Sequence, residues 1–306
     1  MNIANNIEDL IGKTPIVKLN KIDSCLAGNI FGKCEFMNPN SSVKDRIALN
    51  MIQSALEDGS INKDTHIIEP TSGNTGVGLA SICASFGLKL TLTMPESMSM
   101  ERRMLMKAYG ANLALTEVVL GMKGSIAKAE ELQAKEENAV ILQQFQNPNN
   151  PEAHVKTTAL EILEDMDGKI DILVSAVGTG GTISGVGKVL KEKLPNVQII
   201  AVEPKKSCVL SGGNPAPHKI QGIGAGFVPD TLNTNIYDEI IMVEDEDAIA
   251  MANTMAKEEG ILVGISAGAN VFVASQLAQK EENKDKNIVT ILCDSGERYL
   301  STGIFE

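Results

Sequence analysis

GTGGT (178–182) stands between an apolar run (170–177) and the amphipathic stretch ISGVGKVLKEKL (183–194). A strand that feeds a small-residue turn into a helix leaves backbone N–H groups aimed at one point, where the helix dipole adds partial positive charge. That place suits an anion, and the hydroxyls of Thr179 and Thr182 can add donors. A tight strand-to-helix connection holding no ligand is the competing reading. A second turn, TSGNTG (71–76), carries Thr71, Ser72, Asn74 and Thr75 at another helix start. It is either a well-capped turn or a carboxylate site that needs no arginine. The third element is Lys44. In NPNSSVKDRIALNMIQSALEDG (38–59), Ser42 is expected as N-cap with Asp45 three residues on, an approximate capping box that sets Lys44 in the first helical turn. Most lysines simply reach solvent, but a positive helix end and burial would lower this amine's pKa and help it attack a carbonyl. Together the three suggest a site for two anionic groups and one carbonyl reaction.

Other readings of these motifs fall short. The dinucleotide fingerprint is half present at Gly178 and Gly180, with Glu203 ending the next strand, but Ile183 replaces the third glycine. A Walker A loop would need glycine five residues before Gly187-Lys188, and Thr182 stands there. A smaller phosphorylated cofactor remains. Gly264-Ile-Ser266-Ala-Gly268 matches a nucleophile elbow and Asp294 could be its acid, yet no histidine follows His218 to serve as base.

Composition narrows the class. With 39 acidic against 27 basic residues and a net charge of −12, the surface repels phosphate backbones and anionic bilayers, so neither nucleic acid nor membrane is expected as a partner. The amino end MNIANNIEDL lacks a positive start and an apolar stretch, and no window approaches the roughly 18 apolar residues of a membrane span; a cytoplasmic protein is expected. Five scattered cysteines without a C-x-x-C pair read as reduced thiols, and His66, His154 and His218 make no metal-ligand pattern.

Strand-like runs alternate with amphipathic stretches, which predicts parallel α/β layers. Strands are expected at 65–70, 89–95, 111–117, 139–145, 170–177, 197–204, 239–243, 261–265 and 287–293. Between them fall helices at 77–87, 98–110, 124–137, 152–167, 183–194, 245–259 and 267–280, with Gly87 as a left-handed cap. NPNNP (147–151) reads as a linker, because proline and the residue before it disfavour helix. It divides a domain 1–150 from a domain 151–306. The glycine- and proline-rich stretch 211–230 is long enough to be a mobile cover over a site.

The segments NPNSSVKDR, EPTSGNTGVGLA, MPESMSMERR, GMKGSIAKAEE, VGTGGTISGVGK, KIQGIGAGFVP, GISAGA and SGERYLST resemble, in this order and over nearly the whole chain, the pyridoxal-phosphate-dependent cysteine synthases (O-acetylserine sulfhydrylases) of the tryptophan-synthase-β class. The resemblance implies fold type II: two three-layer αβα domains with mostly parallel twisted sheets, the first ~35 residues packing on the second domain. It implies pyridoxal 5'-phosphate as cofactor, with Lys44 forming the Schiff base and Asn74 bonding the ring hydroxyl. Gly178, Thr179, Gly180, Gly181 and Thr182 would cradle the phosphate, and Ser266 would face the pyridine nitrogen. Thr71, Ser72, Thr75 and Gln144 would contact the substrate. The implied transferase makes L-cysteine from O-acetyl-L-serine and sulfide by β-replacement through an α-aminoacrylate, with Lys44 moving the Cα proton. A homodimer is implied too, and serine acetyltransferase is a protein such enzymes bind.

Two acids depart from the pattern. Cys293-Asp294 replaces Pro-Ser, so a carboxylate could approach the ring. Asp230, after Val-Pro, is a candidate accessory acid; if it helps water or a thiol attack, the same scaffold could consume cysteine, releasing sulfide and forming serine or lanthionine. A cystathionine synthase using homocysteine is the further alternative.

Overall fold

The structure, a computed structural model, describes residues 3–22, 27–71 and 73–306. In chain order its elements are β1 (Ile16–Lys18), β2 (Asn29–Lys33), α1 (Lys44–Glu57), β3 (His66–Pro70), α2 (Asn74–Phe86), β4 (Lys89–Pro95), α3 (Met100–Ala108), β5 (Asn112–Thr116), α4 (Gly121–Gln133) and β6 (Ala139–Ile141). After them come α5 (Asn149–Ala153), α6 (Ala159–Asp165), β7 (Ile172–Ala176), α7 (Gly181–Lys193), β8 (Gln198–Pro204), β9 (Glu239–Val243), α8 (Asp245–Thr254), α9 (Ile265–Ala278) and β10 (Asn287–Ile291). The chain divides into two compact units: Asn38–Asn150 with the chain up to Ile11, and Gly12–Met37 with Pro151–Glu306.

Among the described residues the first unit is built on a four-stranded parallel sheet in the order β5-β4-β3-β6. Strand alternation divides its side chains between two helical layers. Thr93 turns its hydroxyl to the Ser125 carbonyl of α4, at 2.7 Å, while neighbouring Leu92 lies against α2 beneath Gly76. The burial of β3 on every residue reflects cover on both faces, as parallel sheets require. Gly87 ends α2 at φ 69°, the left-handed cap expected of it.

The second unit has a six-stranded sheet, β1-β2-β10-β7-β8-β9, parallel except for the antiparallel β1–β2 pair. Ile30, Ile172, Val174, Ile200, Val202 and Ile288 pack into one core with α8 and α9. Their alternates Leu173, Ile199, Ala201, Val289 and Ile291 pack on the other face with α6 and α7. Lys33 of β2 is fully buried, and its ammonium bonds the Thr14 carbonyl and lies 2.9 Å from Asp165 and 3.0 Å from Glu161. Those two acids tie β2 to α6.

Several sequence expectations change. β1 and β2 fall in the amino-terminal region, where no strand is expected, and β2 pairs with β10, a partner no local pattern discloses. ILVGI (261–265) contributes only an isolated bridge from Val263 to Ser295. The strand read over 139–145 stops at Ile141, where the chain turns at Gln143 with φ 61°. The linker NPNNP runs into α5, because Pro151 stands early enough in that helix for its missing N–H to cost nothing. The helix read over 152–167 contains a π turn at His154–Thr158.

Candidate active site

In the first unit the turn between β3 and α2 gathers three of the predicted residues. Thr71 is buried and its Oγ1 accepts the N–H groups of Gly73 and Gly76, both at 3.2 Å, which fixes the turn. Thr75, in the first turn of α2, donates its hydroxyl to Gln144 Oε1 at 2.8 Å. Gln144 in turn donates Nε2 to the Pro70 carbonyl at 2.9 Å. Asn74 is the first residue of α2, and Ser72 lies outside the described residues.

Lys44 is the first residue of α1 and is half-buried. The capping box expected around it is rearranged. Ser42 Oγ accepts from Lys44 N at 3.2 Å, but Asp45 turns back past Ser42 to take the Asn40 N–H at 2.6 Å. Ser41 at φ 52° bends the chain so that Asn40, rather than Ser42, presents its N–H to the carboxylate. Gly78 lets α1 and α2 cross closely: a Cβ there would lie 3.2 Å from the Lys44 carbonyl oxygen. The main chain of Lys44 is thus held against the helix that carries Asn74 and Thr75.

In the second unit β7 runs into GTGGT and α7 begins at Gly181, with Gly180 as N-cap at φ 82°. Gly178 is pressed on the main chain of the following loop, since a Cβ would fall 2.4 Å from the Gly222 carbonyl oxygen. Gly222 also neighbours Ser266 of α9, whose Oγ lies 3.9 Å from its Cβ position, so the glycine turn and Ser266 meet around one residue. The Thr179 carbonyl accepts the Thr231 hydroxyl at 2.5 Å, and Thr182 meets His154 Nε2 at 3.2 Å. The π turn carries that histidine, whose Nδ1 bonds Thr158 at 2.9 Å. A small recess opens beside Gly178, lined also by Val177, Glu203, Ser207, Gly224 and Phe227.

The stretch 211–230, read as a cover, is docked at several points. Gly224 N bonds the Val177 carbonyl at 3.0 Å, Glu203 accepts the N–H groups of Leu210 and Ser211, and Ile220 is fully buried. Asp230 is exposed and directly precedes Thr231, so it stands at the rim of the turn. Asp294 is fully buried: its Oδ2 accepts the Tyr299 hydroxyl at 2.7 Å, and its Oδ1 is 2.1 Å from a Cβ placed on Gly264, the N-cap of the helix carrying Ser266. Ser266 is itself buried, unlike an elbow nucleophile. Burial pushes the thiols of Cys34 and Cys83 up to about 11 and about 12, far from a reactive thiolate; Cys25 lies outside the described residues.

Sequence reasoning missed Gly222, Thr231 and His154, which shape the turn from distant segments. It also missed Glu69, whose one signal was an acid near the end of a strand-like run. Glu69 is fully buried, and desolvation raises its carboxyl to about 7 against the lowering pull of N–H groups of Gln144 and Gln143.

A family model described as pyridoxal-phosphate dependent enzyme matches residues 7–294. The chain is 55% identical over 304 residues to a cysteine synthase of Staphylococcus aureus (strain Mu50), covering 99% of this chain and 97% of that protein. A crystal structure of cysteine synthase (OASS) from Entamoeba histolytica superimposes with a TM-score of 0.96 at 45% identity, covering 99% of this chain and 91% of the other. A hydrogen sulfide-producing enzyme from Fusobacterium nucleatum gives 0.94 at 48% identity, over 97% and 100%. A match that begins at residue 7 and runs to residue 294 takes in both units, and the chain belongs to the pyridoxal-phosphate dependent enzymes.

Proposed function

We propose that the protein is a cysteine synthase that makes L-cysteine from O-acetyl-L-serine and sulfide. The observation that carries this reading is the 55% identity, over nearly all of both chains, to the Staphylococcus aureus cysteine synthase. The residues present fit pyridoxal 5'-phosphate. GTGGT offers main-chain N–H groups at a helix start, and glycine at 178 and 180 removes the Cβ atoms that would close it against Gly222 and Leu232. When bound, the cofactor supplies an aldehyde that takes up an amine covalently and a conjugated ring that accepts electrons from the substrate Cα.

The chain's own residues do the rest. Gly178 to Thr182 would hold the phosphate, Ser266 would face the pyridine nitrogen and Asn74 the ring hydroxyl. Lys44 would hold the aldehyde carbon, and its ε-amine would take the Cα proton and later return it. Thr71, Ser72, Thr75 and Gln144 would contact the substrate. Ser266 carries no charge to enforce protonation of the ring nitrogen, which favours loss and replacement of a β-substituent over transamination. Asp294, near the same helix start, is engaged by Tyr299.

A second reading, cysteine consumption with sulfide release, is supported by the carboxylate of Asp230 at the rim of the glycine turn. The deciding experiment mixes purified protein with O-acetyl-L-serine, follows the visible spectrum, then adds sulfide and identifies the product. A spectral change that sulfide reverses, with L-cysteine accumulating, is expected. Sulfide release from cysteine without synthesis would favour the second reading, and formation of cystathionine from homocysteine the third. The Lys44→Ala protein should lose both the spectral response and turnover.

We further propose a cytoplasmic homodimer. Exposed Met100, Met104, Val118, Val119 and Leu120 supply apolar surface in the first unit, and no helix among the described residues is long and apolar enough to cross a membrane. Serine acetyltransferase remains a proposed partner on resemblance.

A further inference from the structure

Glu69 is the penultimate residue of β3 and is fully buried. A buried carboxylate persists where main-chain donors converge on it. Here Oε1 accepts Gln144 N and Oε2 accepts Gln143 N, each at 2.9 Å. Gln143 has φ 61°, a left-handed conformation that a non-glycine residue keeps only when its surroundings impose it. Such a turn points successive N–H groups the same way, and Glu69 is the anion they enclose. Asn150 Nδ2 holds the Gln144 carbonyl from another side at 2.7 Å.

With its main chain held, the Gln144 side chain has one sense. The Pro70 carbonyl can only accept, so the amide nitrogen must face it and Oε1 must face Thr75. The Thr75 hydroxyl therefore donates, and it has one hydrogen. The Gln144 amide bonds the Pro70 carbonyl and also hydrogen-bonds the Glu69 carboxylate, so Glu69 engages both the main chain and the side chain of this residue.

We propose that Glu69 is a positioning residue for substrate binding: it fixes the main chain at Gln143–Gln144 and thereby the direction of the relay from Thr75 through Gln144 to Pro70. This rests on the reading of Thr75 and Gln144 as substrate contacts. Glu69→Gln keeps the shape but turns an NH₂ group toward one of the two N–H donors, which releases the turn.

The test is a spectral titration of the holoenzyme with O-acetyl-L-serine, beside steady-state kinetics and the spectrum without substrate. Loss of a charge-assisted hydrogen bond transmitted to the site should weaken O-acetyl-L-serine binding roughly ten- to thirtyfold. The turnover number at saturation should stay within about twofold and the substrate-free spectrum should not change. Thr75→Val should weaken binding as well, and the double variant should lose less than the product of the two, because both act through Gln144. Glu69→Asp keeps the charge but shortens its reach, and should give a smaller loss; it answers the question if Glu69→Gln does not fold. Multiplying effects in the double variant, or unchanged affinity in Glu69→Gln while the wild type responds, overturns the positioning role alone. No response from the wild type overturns the proposed function and this role with it.

Discussion

Gly178 is where the glycine cradle has least room. An added Cβ would sit 2.4 Å from the Gly222 carbonyl oxygen, whereas real Cβ contacts essentially never fall below 3.0 Å. Both partners are main chain, so no rotamer can relieve the clash in Gly178→Ala. The opposing loop is moreover pinned two residues on, where Gly224 N bonds the Val177 carbonyl at 3.0 Å. Overpacking of this kind costs about 1–3 kcal/mol. If the protein escapes the strain by parting the two segments, bound cofactor must close them again, and its dissociation constant should rise roughly 5- to 150-fold. Titration of cofactor-free protein with pyridoxal phosphate reads this directly. Thermal unfolding with and without cofactor provides the second measure, since the shift produced by ligand shrinks as affinity falls. Gly59→Ala, at φ 76° with nothing within 4 Å of the added atom, is the control for backbone strain without a clash. A Gly178→Ala protein that binds cofactor as the wild type does and melts at the same temperature would refute the argument from close approach.

Three further outcomes are expected. Lys33→Met leaves Glu161 and Asp165 without the buried ammonium between them and should lower unfolding free energy by about 3–5 kcal/mol, read by denaturant titration. For Glu69 the folded carboxyl, at about 7, holds its proton more tightly than the unfolded one at 4.5, so its contribution to stability is greatest below pH 4.5 and falls as pH rises toward 7. The stability of wild type relative to Glu69→Gln should decline across that window by roughly 3 kcal/mol and stay level above it; a difference independent of pH would show that the buried carboxyl does not titrate there. Cys34 and Cys83, with thiols held at about 11 and about 12, should resist alkylation at pH 8 in the folded protein and react once it is unfolded, as mass spectrometry of the labelled chain will report.

What could be read in the sequence was what the chain decides locally. The β3 turn into α2, the glycine turn after β7 and the cap at Gly87 each depend on residues within a few positions of one another, so their signals survive without the fold. Motif order carried the rest of the site. What escaped was set at a distance. β2 has no strong pattern of its own because its identity comes from lying beside β10. Val263 sits in an apolar run that reads as a strand, yet it is buried by core packing and paired only with Ser295. Gly222 and Thr231 matter because the loop that bears them folds back on GTGGT, which no spacing within that loop encodes. The capping box failed by a small margin: Asp45 found the Asn40 N–H instead of that of Ser42.

The place of β10 governs when the second sheet can be completed on the ribosome. Residues 287–291 lie between β2 and β7, so β2 has only β1 beside it until residues 287–291 have emerged. Synthesis thus leaves the Asn29–Lys33 edge open while the intervening residues are made, and closure joins segments far apart in the chain. A nascent chain stalled before residue 287 should therefore expose that edge to chaperones or to other copies of itself, whereas one released at full length can seal it.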